Sequence, residues 1–250
     1  MSGLLFVIGL GPGPAHWLTP EASAALEQIE DILGYGPYVA RVPRRQGLRF
    51  HASDNGVELG RASAALALAA QGRCVGVVSG GDPGVFAMAA AVVEAIELGP
   101  PEWRALDVRV LPGVSAMQAA AARLGAPLGG DFCAISLSDN LKPWSLIERR
   151  LIAACDGDFV MAIYNPASKA RPQQIYDAFA VLRARRDGET PVAFARAVGR
   201  PYEAMCLTTL EKADPGFADM STLVIVGAST TRYVARPKVL PYMLTPRSYR

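Results

Sequence analysis

Glycine-bearing loops follow three short apolar runs in the first half of the chain, and this repeated arrangement constrains the fold more than any other feature. The runs at residues 4–8 and 74–78 have the length and composition of buried strands, residues 108–111 also have a strand pattern, and a helical pattern follows each loop. Strands that alternate with helices in this way are typical of a parallel sheet. Because ligands bind beyond the carboxyl ends of parallel strands, we expect the three loops to converge at one edge.

The second half of the chain has a different pattern, in which strands outnumber helices. Two predicted strands, at residues 132–137 and 159–164, have a helix between them. Three further strand-like runs follow with no long helix between them, at residues 192–197, 204–210 and 222–226. Successive strands of this kind favour a mixed or antiparallel sheet. We therefore predict two α/β domains, residues 1–125 and 126–250, with no clear element from residue 232 onward.

Composition excludes several classes of protein. The 250 residues are 51% hydrophobic and 19% charged, which is not the composition of a disordered chain. No apolar run reaches the roughly 18 residues of a membrane-spanning helix, and the N-terminus lacks the pattern of a signal peptide. We therefore expect a cytoplasmic protein without a membrane partner. The net charge of +2 argues against a nucleic-acid partner, and four separated cysteines with two histidines argue against a metal site.

The first loop is similar to a dinucleotide-binding fingerprint but departs from it. Its sequence is Gly9-Leu10-Gly11-Pro12-Gly13-Pro14, in which Pro14 occupies the place of the last glycine. Pro12 and Pro14 also lack the backbone N–H groups that would bind a pyrophosphate. Glu30 and Asp31 lie where a ribose-binding acid is expected, but we predict that they face solvent at a helix end. The residues alone leave a ligand-binding loop and a plain turn open.

The second and third loops have the same strand–glycine–helix order. In Ser79-Gly80-Gly81-Asp82-Pro83-Gly84 the two glycines allow close approach of a backbone or ligand, and Pro83 restricts Asp82. The alternative is a strand-to-helix turn in which Asp82 caps the helix. The segment Pro112-Gly113-Val114-Ser115-Ala116 repeats this arrangement. The convergence of three such loops is more specific than any one of them.

Cationic side chains cluster in several loops, most densely in Tyr164-Asn165-Pro166-Ala167-Ser168-Lys169-Ala170-Arg171. A turn at Asn165-Pro166 explains the first part of this segment but not its two cations. Such clusters either face solvent or line a pocket for a substrate with several carboxylates or phosphates. His16 follows the first loop, and because histidine is a common proton-transfer residue in enzymes, it is either incidental or a proton-transfer group.

Five segments, taken in order and spacing, resemble one known family. They are Val7-Ile8-Gly9-Leu10-Gly11-Pro12-Gly13, Ser79-Gly80-Gly81-Asp82-Pro83-Gly84-Val85-Phe86, Pro112-Gly113-Val114-Ser115-Ala116, Ala197-Val198-Gly199-Arg200-Pro201-Tyr202-Glu203 and Ser221-Thr222-Leu223-Val224-Ile225-Val226-Gly227. With them the chain resembles the tetrapyrrole (corrin and porphyrin) methyltransferases that use S-adenosylmethionine. The resemblance covers nearly the whole chain. It implies two α/β domains of the tetrapyrrole methylase type, with the cofactor in the cleft between them, usually in a homodimer.

The resemblance also implies which residues contact the cofactor S-adenosyl-L-methionine. Carried over by position, they are Pro12, Gly80, Gly81, Asp82, Val85, Phe86, Ser115, Ala116, Tyr164, Asn165, Val198 and Thr222. Because this cofactor has no phosphate, a proline-containing loop is no handicap. We expect Asp82→Ala to abolish cofactor binding while leaving the fold intact.

Two segments narrow the resemblance within the family: Tyr164-Asn165-Pro166-x-Ser168-x-x-Arg171, and Gly34-Tyr35-Gly36-Pro37-Tyr38 in place of the family's more usual Tyr-Asp stretch. They resemble the branch that methylates precorrin-3B at C17, with ring contraction to precorrin-4, in cobalamin biosynthesis. Ring contraction requires a general acid or base, for which His16, Asp82 and Asn165 are the candidates. The carboxylate arms of such a substrate would contact cations, and the candidates are Arg41, Arg44, Lys169, Arg171 and Arg200. The alternatives are the cobalt-loaded counterpart, another precorrin methyltransferase (C20 or C11) and, from a different class, a nicotinamide-dependent oxidoreductase.

Overall fold

The structure, a computed structural model, describes residues 3–248. The chain divides into two compact units, of which the first ends at Ala116 and the second begins at Met117. Both units are α/β, and their sheets are a parallel one and a mixed one, as the sequence predicts. No helix within the described range is both long and apolar enough to cross a membrane.

The first unit is a five-stranded parallel sheet with helices between its strands. In chain order its elements are β1 (Leu4–Gly9), α1 (Pro20–Gln28), β2 (Asp31–Tyr35), α2 (Gly36–Val39), β3 (Arg49–Ser53), α3 (Glu58–Ala70), β4 (Cys74–Ser79), α4 (Met88–Leu98) and β5 (Asp107–Leu111). The strand order is β3-β2-β4-β1-β5. The three strands that precede the glycine-bearing loops are therefore neighbours, with β1 in the middle. Single turns of 3-10 helix cover Ala15–Trp17 and Pro101–Ala105.

Strand β1 shows why this sheet forms. Leu5 and Val7 pack into an apolar cluster on one face, while Phe6 and Ile8 pack into a cluster on the other. All four are buried, because a parallel sheet with helices on both faces requires apolar residues at every position. Helix α1 begins as predicted: the Thr19 hydroxyl accepts a hydrogen bond from Ala22 N–H at 3.2 Å, and Pro20 is the first helical residue.

Two strands of this sheet do not have an apolar run in the sequence. Edge strand β3 is mostly exposed, so its sequence is polar. Strand β2 begins at Asp31, and the prediction that Asp31 faces solvent at a helix end is wrong. Its side chain is fully buried and forms ion pairs with Arg49 and Arg73, with His51 Nε2 2.8 Å away. A buried carboxylate of this kind requires such cationic partners.

The second unit contains the mixed sheet. Its elements are β6 (Gly125–Ala126), β7 (Phe132–Ser136), α6 (Trp144–Asp156), β8 (Val160–Tyr164), α7 (Gln174–Arg183), β9 (Pro191–Arg196), β10 (Ala204–Thr209), β11 (Thr222–Val226), β12 (Arg232–Val234) and β13 (Tyr242–Leu244), preceded by α5 (Ala116–Leu124). The sheet order is β10-β9-β11-β8-β7, and within it β7 and β8 are parallel while the other pairs are antiparallel. Phe179 of α7 stacks on Phe194 of β9 in the core, with ring centroids 5.9 Å apart.

Two findings concern the ends of this unit. The division between the units falls at the start of α5, whereas the sequence analysis places the boundary after that helix, at residue 125. Helix α5 continues directly into β6, which pairs with β13, and this pairing ties the helix to the second unit.

The prediction of no clear element from residue 232 onward is wrong, since β12, β13 and β6 form a small sheet. Strands this short leave little periodicity to detect.

Candidate functional site

Backbone hydrogen bonds join the first and second glycine-bearing loops of the first unit, and the Asp82 side chain joins the third to them. Leu10 N–H donates to the carbonyl of Ser79 at 2.9 Å, and Gly11 N–H donates to the carbonyl of Gly81 at 3.1 Å. Hydrogen bonding thus extends past the ends of the parallel strands β1 and β4 into the first and second loops, where Gly11 and Gly81 form an antiparallel bridge. The predicted convergence of the loops at one edge is confirmed.

Glycine is required where these loops approach one another. A Cβ atom on Gly113 would lie 2.5 Å from the Gly81 carbonyl oxygen, and one on Gly9 would lie 2.7 Å from Gly113 N. At Gly80 a Cβ atom would lie 2.7 Å from carbons of the Tyr38 ring. The glycines therefore let backbone and ring pack closely, which agrees with the close backbone approach that the sequence predicts for the second loop.

Asp82 connects the second loop to the third. Its Oδ1 accepts a hydrogen bond from Gly84 N–H at 2.7 Å, which closes an Asp-Pro-Gly turn. Its Oδ2 accepts a hydrogen bond from Gly113 N–H at 3.0 Å. Both carboxylate oxygens therefore hold backbone groups of the loops. This arrangement gives Asp82 a positioning role, and direct contact with a cofactor or a proton-transfer role stays a prediction.

Arg41 holds the first loop from the opposite side. Its guanidinium donates three hydrogen bonds of 2.8 Å, from Nη1 to the carbonyl of Gly11 and from Nη2 to the carbonyls of Leu10 and Gly13. Arg41 is a candidate for substrate binding in the sequence analysis. The geometry places both terminal nitrogens on the protein backbone, so a substrate contact stays a prediction that this arrangement does not favour.

Phe86 has an unusual conformation for an aromatic residue. Its φ angle is +52°, in the left-handed region, and 50% of its surface is exposed. Such a backbone costs about 1–3 kcal/mol for a residue with a side chain, and residues of this kind concentrate at functional sites.

Ser115 is buried, and its Cα lies 3.8 Å from a Cβ atom placed on Gly81, so the third loop ends beside the second.

His16 and Arg44 each contact an aromatic ring. His16 is exposed in the 3-10 turn after the first loop, where its ring meets Trp17 edge-on with a centroid distance of 6.1 Å. The Arg44 guanidinium lies over the ring of Phe50 at 5.0 Å. Their predicted roles in proton transfer and in substrate binding stay predictions.

In the second unit, Tyr164 and Asn165 end strand β8. The Tyr164 hydroxyl accepts a hydrogen bond from Met117 N–H, at the beginning of α5, at 3.0 Å. Asn165 has a φ of +50°, and its amide donates to the Ser136 hydroxyl at the end of β7 at 2.9 Å. A left-handed residue whose side chain is bonded to the neighbouring parallel strand fixes the direction of the chain after β8.

The segment after β9 carries Val198 between two residues with positive φ, Ala197 and Gly199. Glu203 holds this turn, because it accepts a hydrogen bond from Gly199 N–H at 2.6 Å and pairs with Arg123 of α5 at 2.8 Å. Burial would raise the pKa of Glu203, but the hydrogen bonds from Arg123 and Gly199 outweigh it and hold the pKa below its ordinary value.

Thr222, the other predicted cofactor residue of this unit, begins strand β11. It is 5% exposed, and its hydroxyl donates to Oδ1 of Asp219 at 2.8 Å. Asp219 also pairs with Arg196 at the end of β9, at 2.7 Å. These bonds fix the ends of two neighbouring strands.

The predicted cations of the second unit differ in their surroundings. Arg171 is 9% exposed, and its Nη1 lies 3.4 Å from the carbonyl of Leu137 and 3.5 Å from that of Asn165, so it braces the segment after β8. Lys169 is exposed and lines a cavity of about 460 Å³. Arg200 donates to the Tyr202 hydroxyl at 3.2 Å. All three predicted substrate contacts stay predictions, and Lys169 has the geometry that suits one best.

The sequence analysis did not assign site roles to Tyr38, Ser136 or Glu203. Each supports a predicted site residue: Tyr38 packs against Gly80, Ser136 receives the amide of Asn165, and Glu203 holds the turn at Val198. Only Glu203 had a signal in the sequence, since an acid four residues after a glycine suits a closed turn. The contacts of Tyr38 and Ser136 depend on which strands are neighbours.

The loops of the first unit suit a ligand without phosphate. The first, second and third loops contain no lysine, arginine or histidine. Their N–H groups at Leu10, Gly11 and Gly113 are already bonded within the protein, so they do not form a phosphate cradle. What the loops expose includes neutral backbone and the side chain of Phe86, which is a half-exposed residue. These groups fit S-adenosylmethionine better than a dinucleotide.

Comparison with known proteins agrees with this chemistry. The family model for Tetrapyrrole (Corrin/Porphyrin) Methylases matches residues 4–214. The chain is 53% identical over 249 residues to a precorrin-3B C(17)-methyltransferase of Sinorhizobium sp., covering 100% of this chain and 98% of that protein. It is 42% identical over 248 residues to a Salmonella typhimurium protein named "Probable cobalt-factor III C(17)-methyltransferase", covering 98% and 99%.

A crystal structure of the methyltransferase CobJ matches the fold with a TM-score of 0.93 and 52% identity, covering 98% of this chain and 100% of that one. The similarity therefore extends over both units and not only over the loops. Because the family model spans most of the chain and the relatives match along nearly their whole length, the chain belongs to the tetrapyrrole (corrin/porphyrin) methylase family.

Proposed function

We propose that this chain transfers a methyl group from S-adenosylmethionine to C17 of precorrin-3B, with ring contraction to precorrin-4, in cobalamin biosynthesis. The observation that carries the proposal is the 53% identity to a precorrin-3B C(17)-methyltransferase over essentially the whole of both chains. Membership of a methylase family argues against a nicotinamide-dependent oxidoreductase, and so does the lack of a phosphate cradle in the three loops.

The cofactor-binding residues follow from the loops of the first unit. The hydrogen bonds of Asp82 and Arg41 hold the loops in one shape before any ligand binds. This preorganisation lowers the entropic cost of binding. Half-exposed Phe86 offers an apolar surface, and Ser115 belongs to the proposed set because it lies beside the second loop. From the second unit the proposal includes Tyr164, Asn165, Val198 and Thr222; Gly80, Gly81, Val85, Ala116 and Pro12 complete the set.

When bound, the cofactor supplies an electrophilic methyl group on a sulfonium centre. The task of the protein is then to align the substrate carbon with that methyl group and to exclude water. Orientation alone contributes several kcal/mol, up to about 7–11 kcal/mol in well-aligned systems. A strong base is not needed for this step, because a pyrrolic carbon is already electron-rich. His16, Asp82 and Asn165 remain the candidates for proton transfer in ring contraction.

The substrate of this proposal carries several carboxylates, which favours contacts with cations. Lys169 is suited to such a contact, since its ammonium group is exposed beside a cavity of about 460 Å³ whose wall includes Pro172 and Ile175. A carboxylate arm can pair with Lys169 while its carbon chain packs against the apolar wall. Arg44 and Arg200 are further candidates. A homodimer in the cytoplasm remains part of the prediction.

A second candidate substrate is the cobalt-loaded counterpart, which the 42% identity to the Salmonella typhimurium relative favours. Incubation of the enzyme and S-adenosylmethionine with precorrin-3B or with cobalt-factor III, in parallel, separates the two. Mass and absorbance spectra of the products are the readout. We expect precorrin-3B to gain one methyl group and a contracted macrocycle. If only cobalt-factor III is turned over, cobalt-factor III and not precorrin-3B is the substrate. If neither compound is turned over, the proposal of C17 methylation is contradicted.

A further inference from the structure

We propose that Arg41 is a positioning residue that keeps the first loop in the shape the cofactor needs. The inference rests on the proposed function, because it concerns the same cofactor site. It changes the role of Arg41 from a partner of substrate carboxylates to a clamp on the protein backbone.

The first loop depends on outside partners for its shape. Two of its residues, Pro12 and Pro14, have no N–H group, so the loop cannot form the hydrogen bonds of a regular turn at these positions. The N–H groups of Leu10 and Gly11 bond to the second loop. The carbonyl groups of Leu10, Gly11 and Gly13 bond to Arg41. One side of the loop is therefore held by the backbone of the second loop and the other by one side chain.

Arginine is the one side chain suited to this contact. Its planar guanidinium presents several N–H donors in a fixed fork, so two nitrogens can reach three carbonyl oxygens at once. A lysine ammonium is a single point and cannot span carbonyls that come from residues 10, 11 and 13. Hydrogen bonds from a charged donor are also stronger than those between neutral groups.

Arg41 is itself held in place by the segment that contacts the second loop. The backbone N–H of Arg41, just after helix α2, donates a hydrogen bond to the backbone carbonyl of Tyr38 at 3.0 Å. The ring of Tyr38 packs where Gly80 has no side chain. A short segment therefore links the first loop, through Arg41, with the second loop, through Tyr38, and fixes the two relative to each other.

Removal of the guanidinium leaves three carbonyl groups to bond with water and frees one side of the loop. We expect Arg41→Ala to weaken binding of S-adenosylhomocysteine, measured by calorimetry, about 10-fold to 100-fold, because the loop must then be ordered on binding. Without ligand, we expect faster hydrogen exchange at the amides of Leu10 and Gly11. Millimolar guanidinium added to the variant restores part of the affinity, since it can occupy the vacated position.

Arg45 provides a matched control. It lies four residues further along and also donates to backbone carbonyls, those of Leu26 and Ile29 at the end of α1, which are not part of the three loops. Arg45→Ala thus removes an arginine–carbonyl contact of the same kind from the same unit. We expect it to leave the affinity for S-adenosylhomocysteine within about twofold of wild type, with no effect of guanidinium.

Wild-type affinity in Arg41→Ala, or an equal loss in Arg45→Ala, would overturn the proposal. If Arg41→Ala does not fold, Arg41→Lys keeps the charge without the fork, and the same loss of affinity is expected. If the wild-type enzyme itself binds no S-adenosylhomocysteine, the proposed function fails first, and the exchange rates of Leu10 and Gly11 still decide whether Arg41 holds the loop. The two failures are therefore distinguishable.

Discussion

Replacement of Asp82 tests the role of the loop contacts most sharply, because the chain contains a natural control. Asp82-Pro83-Gly84 and Asp214-Pro215-Gly216 form the same turn, in which the aspartate accepts a hydrogen bond from the glycine N–H, at 2.7 Å and 2.8 Å respectively. Asp82 differs in that its other oxygen also accepts a hydrogen bond from Gly113 N–H at 3.0 Å. The comparison of Asp82→Ala with Asp214→Ala isolates the contact between loops.

The magnitude follows from these bonds. Loss of the turn contact costs about 1 kcal/mol in either variant, as for loss of a helix cap. The bond from Gly113 to a charged acceptor contributes about 1.5–3 kcal/mol, and partial exposure of Asp82 places it at the lower end. We therefore expect Asp214→Ala to lower the free energy of unfolding by about 1 kcal/mol and Asp82→Ala by about 2–3 kcal/mol.

Urea unfolding measures these costs, and calorimetry with S-adenosylhomocysteine measures the second effect. We expect Asp82→Ala to bind at least tenfold more weakly, which corresponds to about 1.4 kcal/mol, and Asp214→Ala to bind as wild type. The fold is expected to remain intact in both variants, although at lower stability. Equal stabilities of the two variants would refute the contribution of the Gly113 bond. Wild-type affinity in Asp82→Ala would refute its role in the cofactor site.

Three further predictions concern other positions. Gly113→Ala should lower the free energy of unfolding, measured in urea, by more than about 2 kcal/mol, because the new Cβ atom would clash with backbone. Gly60→Ala in α3 is the control: the new Cβ atom has open space there, and the free energy of unfolding should rise by about 0.5 kcal/mol. Phe86→Gly should leave the free energy of unfolding within about 1 kcal/mol of wild type, because left-handed strain is relieved, but should weaken S-adenosylhomocysteine binding in calorimetry; a large loss of stability would contradict this. Because the pKa of Glu203 is lowered, its pairing with Arg123 stabilises the fold fully above pH 4.5, the ordinary pKa of a glutamate. This stabilisation is lost as the pH falls through the lowered pKa. Glu203→Gln should therefore flatten the acid side of the stability curve by less than about 1 kcal/mol, and an unchanged curve would argue against the pair.

The parts of the fold that the sequence predicts are those with strong apolar runs. Strands β1, β4 and β11 are buried on both faces, so their runs are continuous and easily detected. Edge strand β3 and short strands β12 and β13 have no such run, because they bury few side chains. Their formation depends on pairing with distant strands, which local sequence does not encode.

The candidate site shows the same limit at the level of single residues. The position of the three loops follows from the order of strands and glycines, so the sequence predicts it. The partners of Arg41 do not follow, because an arginine that clamps carbonyl groups and one that awaits a carboxylate look alike in sequence. The sequence likewise predicts a surface position for Asp31, because its partners Arg49, His51 and Arg73 are distant in sequence. Only the order of the strands shows that they surround it.

The most direct test of the proposed reaction uses S-adenosylmethionine with an isotopically labelled methyl group and precorrin-3B as the methyl acceptor. Nuclear magnetic resonance of the purified product locates the label on the macrocycle. The proposed function predicts one labelled methyl group, at C17, in a ring-contracted product. A label at C11 or C20, or a product without label, would contradict it.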